Sequence, residues 1–264
     1  MTTPKVATIK RQGSRLYVHP SSDEKVPGVT SVLNMIPKHQ FLMPWAAKMA
    51  AEFAVDNAPA WIGLAMAGHR EAAIDVIKKA HYRNTGNAAD MGTAAHDVFE
   101  KMARDQKLGR MSPELKRFAS NYQAFLDRFQ PEFLFMEDTV WNHTIGYAGS
   151  FDAIALIEGE LVILDNKTTK SGVHDEVCLQ LNCYGGAEVL VDPDSGEETP
   201  MPDITAAAVV HVRQDEWGLY PVAYDPELYL PVFSALKAVW EWEKNMRKGV
   251  IGKPIHHEKT EEDE

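Results

Sequence analysis

The chain has 264 residues, 45% of them hydrophobic and 25% charged, the makeup of a globular protein able to bury one substantial core. No apolar run approaches the ~20 residues that a membrane span needs, and no basic and apolar leader opens the sequence, so the expected location is the cytoplasm. A net charge of −11 weighs against an indiscriminate binder of polyanions, although Lys101, Arg104, Lys107, Arg110, Lys116 and Arg117 face only Asp105 and Glu114 within one short stretch.

Residues 1–26 alternate weakly around Gln12-Gly13 and read as an N-terminal hairpin extension. From Pro27 to about residue 130 the pattern is helical, in the segments 29–36, 41–57, 67–84, 92–105 and 112–129. Ser112 followed by Pro113 has the form of an N-cap and first helical position. After Pro131 the period changes to two, and 132–141, 147–157 and 160–168 read as three consecutive strands. Residues 174–191 read as a helix, 205–213 and 217–224 as two further strands, and 227–248 as a closing helix. The acidic stretch 251–264 reads as a disordered tail. The expected class is α/β, one unit over 27–250 with a helical part (27–130) leading into a mixed sheet flanked by helices (131–250).

Cys178 and Cys183 are the only cysteines. Five positions apart on a helix they point to different sides, which disfavours a disulfide, and two thiols are too few for an iron–sulfur cluster. Any metal is therefore held by oxygen and nitrogen.

The chemistry concentrates in two strands. Residues two apart share a face, so Asp165 and Lys167 of LDNKT point the same way as Leu161 and Ile163. A turn at Glu158-Gly159 sets Asp152 opposite Asp165, whereas a turn at Gly159-Glu160 sets it opposite Lys167; either register clusters the three side chains. Facing carboxylates with Cβ atoms about 5 Å apart repel unless a cation lies between them. Mg²⁺ or Mn²⁺, with carboxylate and water ligands, suits such a pair, and a neighbouring lysine can orient or deprotonate water or stabilise a pentacovalent phosphate. The bland alternative is a surface ion pair, but the LVIL run leading into Asp165 is apolar on both faces and reads as a buried central strand, where charge is costly.

The order His96 in GTAAH, Asp152 in GSFD, Asp165 and Lys167 in LDNKTTK, then Gln180 and Tyr184 in QLNCY resembles the RecB-like branch of the PD-(D/E)XK nucleases. The likeness extends over about residues 27–190 and looks closest to phage-encoded exonucleases. It implies a restriction-endonuclease-like core in which His96, Asp152, Asp165 and the Asn166 carbonyl bind metal and Lys167 acts on water. It further implies that Gln180 and Tyr184 lie beside the metal, and that Thr168 and Lys170 contact DNA. His96, Glu100 and Arg104 fall at successive i+4 positions, which lines a ligand histidine and a phosphate-seeking arginine along one helix face. Glu137 matches an additional acid of some members, with Asp138 as the inward residue if the pleat runs out of phase. The implied activity is a Mg²⁺- or Mn²⁺-dependent DNA exonuclease of phage or bacterial recombination, replication or repair, with a phage single-strand annealing or binding protein as a partner. A structure-specific endonuclease and an inactive DNA-binding module are the alternatives.

Overall fold

The computed structural model describes residues 4–256; the end of the expected acidic tail, 257–264, lies outside them. Strands β1 (Thr8–Arg11) and β2 (Ser14–Val18) form the expected hairpin. Its turn places Gln12 and Gly13 at φ 50 and 77, the positive values that match the right-handed strand twist. The hairpin gains a third strand, β3 (Lys25–Pro27), and closes over Trp141, Ala148 and Val191 through Val6, Tyr17 and Val26.

Six helices follow: α1 (Val29–Leu33), α2 (His39–Asp56), α3 (Ala58–Met66), α4 (Arg70–Lys78), α5 (Ala80–Ala103) and α6 (Pro113–Phe129). The helices expected over 67–84 and 92–105 are divided differently: the break falls at Lys79, and α5 runs unbroken to Ala103. This stretch is Ala-rich and favours helix throughout, so neither boundary carried a strong local stop signal. Helices α2–α4 pack on one another and on α5, and α3 buries none of its residues. Ser112 caps α6 by accepting from the Leu115 N–H, and Gln130, at φ 45, ends the helix just before Pro131.

Two of the expected strands are each two strands. Residues 132–141 divide into β4 (Glu132–Met136) and β5 (Thr139–Asn142), and 147–157 into β6 (Tyr147–Ser150) and β7 (Ala153–Ile157). In the first, Glu137 with its φ of 58 reverses the pleat, so that the chain leaves one sheet and enters another; the second breaks at Phe151-Asp152, which is hydrogen-bonded to the same corner. Strand β8 (Glu160–Lys167), helix α7 (Glu176–Gly185), strands β9 (Val189–Val191), β10 (Glu198–Pro200), β11 (Ala206–Val212) and β12 (Trp217–Val222), and helix α8 (Pro226–Glu241) complete the chain, with a π-helical turn at Trp242–Met246. The helix expected over 174–191 is therefore shorter, its last residues forming β9.

The principal sheet has the order β12-β11-β8-β7-β4, mixed because β8 and β11 run parallel across the α7 crossover. A second, antiparallel sheet has the order β10-β9-β5-β6. Alternate residues of the principal sheet serve two cores. Ile154, Ile163 and Val209 pack towards α1, α7 and α8, while Ala155, Leu164 and Val210 pack towards α5 and α6. The protein is thus α/β, with helices on both faces of a mixed sheet. Among the described residues no helix is long and apolar enough to cross a membrane.

Candidate functional site

The β7–β8 ladder pairs Ile157 with Glu160 and continues to Ala153 with Leu164. The Glu158-Gly159 turn is therefore the one adopted; Asp152 and Asp165 are the residues next beyond the last pair, and the Asp152 carboxylate reaches the Asn166 N–H that follows Asp165. Strand β8 is central, which is why Asp165 is buried. Lys167 donates to Asp165 Oδ1 at 2.8 Å and lies 2.6 Å from Oδ2. From α7, Gln180 Nε2 donates to the same Oδ1 at 3.0 Å and to the Tyr184 hydroxyl at 3.5 Å. Tyr184 lies against Gly149, where an added Cβ would stand only 2.3 Å from Cε1 of the ring.

From α5, His96 Nδ1 lies 3.6 Å from Asp152 Oδ2, and that oxygen accepts from the Asn166 N–H at 2.6 Å. The His96 ring also meets the Asn166 backbone. Gly92, one turn before His96, would place a Cβ 3.2 Å from Thr168 Oγ1, so the glycine lets α5 approach the end of β8 closely. Thr168 is thus half-buried under α5, whereas Lys170 is exposed on the loop beyond β8.

Glu137 is the inward acid of its pair and is buried, while Asp138 faces outwards to Lys5 at 2.7 Å. The Glu137 N–H donates to the Asp152 carbonyl at 3.0 Å. With Glu100, Tyr122, Asp152 and Asn166, Glu137 lines a cavity of about 10 Å³, room for one water-sized occupant. Glu100 and Tyr122 were not among the expected site residues. The spacing of one helical turn after His96 was the available signal for Glu100; nothing local marks Tyr122, which reaches the cavity from α6 by stacking on Phe99.

Arg104, expected to contact DNA, is engaged by protein. Its Nε donates to Glu100 Oε1 at 3.0 Å and its Nη2 to the Met136 carbonyl at 3.1 Å. Lys5 donates to that same carbonyl at 3.1 Å. Both cations hold the corner where Glu137 takes its left-handed conformation.

Burial governs the ionisation of the cluster. It raises the Asp152 carboxyl, against the pull of Lys167, and raises Asp165 likewise. Burial also opposes the charge on Lys167, but Asp165 and Asp152 outweigh it and hold the ammonium above its ordinary range. His96 is lowered to about 4, chiefly by burial, so it is a neutral imidazole near pH 7.

Among the described residues no three His, Cys, Asp or Glu side chains already converge on one point as a metal cage. Asp165 is turned to Lys167 and Gln180, and Asp152 to the Asn166 amide. The donor chemistry nevertheless suits a hard divalent ion. Four carboxyl groups, Glu100, Glu137, Asp152 and Asp165, stand against two permanent cations, Lys167 and Arg104, and the buried Nδ1 of His96 has no hydrogen-bond partner. No protein-family model and no curated protein matches the chain.

Proposed function

We propose that this chain is a Mg²⁺- or Mn²⁺-dependent deoxyribonuclease of the PD-(D/E)XK kind, RecB-like in its motif order and restriction-endonuclease-like in its core. The carrying observation is the meeting of Asp152, Asp165 and Lys167 at the ends of paired strands, with His96 and Gln180 converging from helices on opposite faces of the sheet. His96, Asp152, Asp165 and the Asn166 carbonyl would hold the ion, which when bound supplies Lewis acidity to a phosphodiester and lowers the pKa of water. Lys167 positions that water and offsets charge on the phosphoryl oxygens; Gln180 fixes the Asp165 carboxylate. Exonuclease action and a single-strand annealing or binding partner follow from the resemblance of the motifs.

The test is hydrolysis of end-labelled linear DNA and of covalently closed circles, with Mg²⁺, with Mn²⁺ and with chelator. The expected result is metal-dependent loss of the linear substrate while circles survive. Cleavage of circles would move the assignment to an endonuclease, and binding without hydrolysis on every substrate to an inactive module. Lys167→Ala should retain metal binding and lose turnover; a fully active Lys167→Ala protein would overturn the catalytic assignment.

A further inference from the structure

The first turn of α5 carries an aromatic group outside the acidic site. The His81 and Tyr82 rings lie 4.0 Å apart between centroids, Trp45 of α2 meets His81 edge-on at 6.2 Å, and Tyr82 is 65% exposed. Beside them the Arg83 guanidinium stacks on Phe53 at 4.5 Å while donating to the Val76 carbonyl at 2.8 Å, which holds the cation in a fixed place. Lys78 and Lys79 adjoin, with Asp75 paired to Lys79. Three basic side chains, Lys78, Lys79 and Arg83, thus fall within six positions.

Tyr82 and His96 are on the same helix, fourteen positions and hence nearly four turns apart, so they share a face about 21 Å from end to end. Gly86, Ala89 and Thr93 recur on that face and are exposed, and nothing stands within 4 Å of where a Cβ on Gly86 would be. Small exposed residues therefore lie on this face between the aromatic rings and the acidic corner.

We propose that Tyr82, His81 and Trp45, with Arg83 and Lys78, form a stacking platform for single-stranded DNA, feeding a strand along α5 towards His96. The direction of feeding rests on the nuclease reading; the platform itself does not. Unpaired bases present ring faces that aromatic side chains can stack on, whereas the bases of a duplex are already stacked on one another, and the neighbouring cations meet the phosphates. The platform thus selects a single strand, or the frayed end of a duplex, over intact duplex.

The experiment is fluorescence anisotropy of the full chain with labelled oligo-dT and with a blunt duplex of equal length, in chelator so that nothing is cut. Wild type should bind the single strand more tightly. Tyr82→Ala should lose about tenfold in affinity for oligo-dT with little change for duplex, the duplex serving as the control for folding, and Tyr82→Phe should bind as wild type. In metal-dependent cleavage of a labelled single strand, Tyr82→Ala should raise KM and leave kcat unchanged. Unaltered oligo-dT affinity in Tyr82→Ala, or equal losses on both DNAs, overturns the platform while leaving cleavage and the nuclease reading intact. Loss of strand binding in Tyr82→Ala, with no hydrolysis by any form of the protein, sustains the platform and removes the nuclease.

Discussion

Gly149→Ala tests whether the site depends on a packed chain of contacts behind it. The new Cβ would stand 2.3 Å from Tyr184 Cε1, 3.0 Å from Cδ1 and 3.3 Å from Val29 Cγ2. Carbon atoms rest at about 3.5–4.0 Å, so the ring must retreat by more than ~1 Å. Tyr184 is only 4% exposed and sits among Leu181, Val29 and Leu33, so no open space receives it. Overpacking of this kind costs about 1–3 kcal/mol. The retreat also withdraws the hydroxyl from Gln180 and so disturbs the amide that steadies Asp165 Oδ1. Misplacement of a reacting group by about 1 Å can cost a hundredfold in rate. Urea melts in chelator measure the first effect, and cleavage of end-labelled linear DNA the second. Tyr184→Ala removes the obstructing ring, so the two substitutions should be non-additive: Gly149→Ala costs far less stability in that background. Strict additivity, or a Gly149→Ala protein that matches wild type in both assays, would refute the reasoning.

Other consequences follow from the charges. Burial raises the Asp152 carboxyl above its ordinary value, so its contribution to stability is lost as pH rises through the folded pKa and the charged form at pH 7 weakens the fold. Asp152→Asn, which keeps an acceptor for the Asn166 N–H, should raise the melting temperature in chelator while abolishing cleavage; a lower melting temperature contradicts this. His96 behaves oppositely: its folded value of about 4 lies below the unfolded 6.5, so its contribution is complete above pH 6.5 and is lost as pH falls towards 4, up to about 3 kcal/mol. Urea melts across that window should show a shallower loss for His96→Gln than for wild type, and parallel curves would contradict the assignment. Arg104→Ala should cost about 1 kcal/mol and lower kcat with little change in KM, because Arg104 holds Glu100 and the Met136 carbonyl. A raised KM with a reduced salt slope would instead make it a phosphate contact.

The central triad was legible because two local rules fix it. Period-two alternation puts Asp165 and Lys167 on one face, and a short turn at Glu158-Gly159 leaves two registers, both of which bring Asp152 alongside. The sheet switch was not legible. Glu137 and Gln130 adopt positive φ without being glycine, and no composition marks such a position; tertiary contacts impose it. The protein partners of Arg104 were not legible either. Helical spacing from His96 and Glu100 gave its face correctly, but the carbonyl it meets belongs to a residue 32 positions away. The short strands β9 and β10 lie where a helix and a loop were expected, because three-residue strands carry too little pattern to announce themselves.

The position of the acids at the sheet switch has a physical logic. Strands β4–β5 and β6–β7 leave one sheet for the other at the same level, and the corner is closed by the Glu137 N–H on the Asp152 carbonyl at 3.0 Å and the Phe151 N–H on the Asp138 carbonyl at 3.3 Å. Glu137 and Asp152 are therefore tethered through the backbone, which fixes their separation more firmly than side-chain packing could. A left-handed Glu137 costs of the order of 1–3 kcal/mol, and like-charged neighbours add to that. Lys5 and Arg104 offset part of it by both donating to the Met136 carbonyl. A strained corner, held in place by two cations and rich in carboxylates, is poorly explained by stability alone, and under the proposed nuclease reading a ligand of opposite charge would offset its cost.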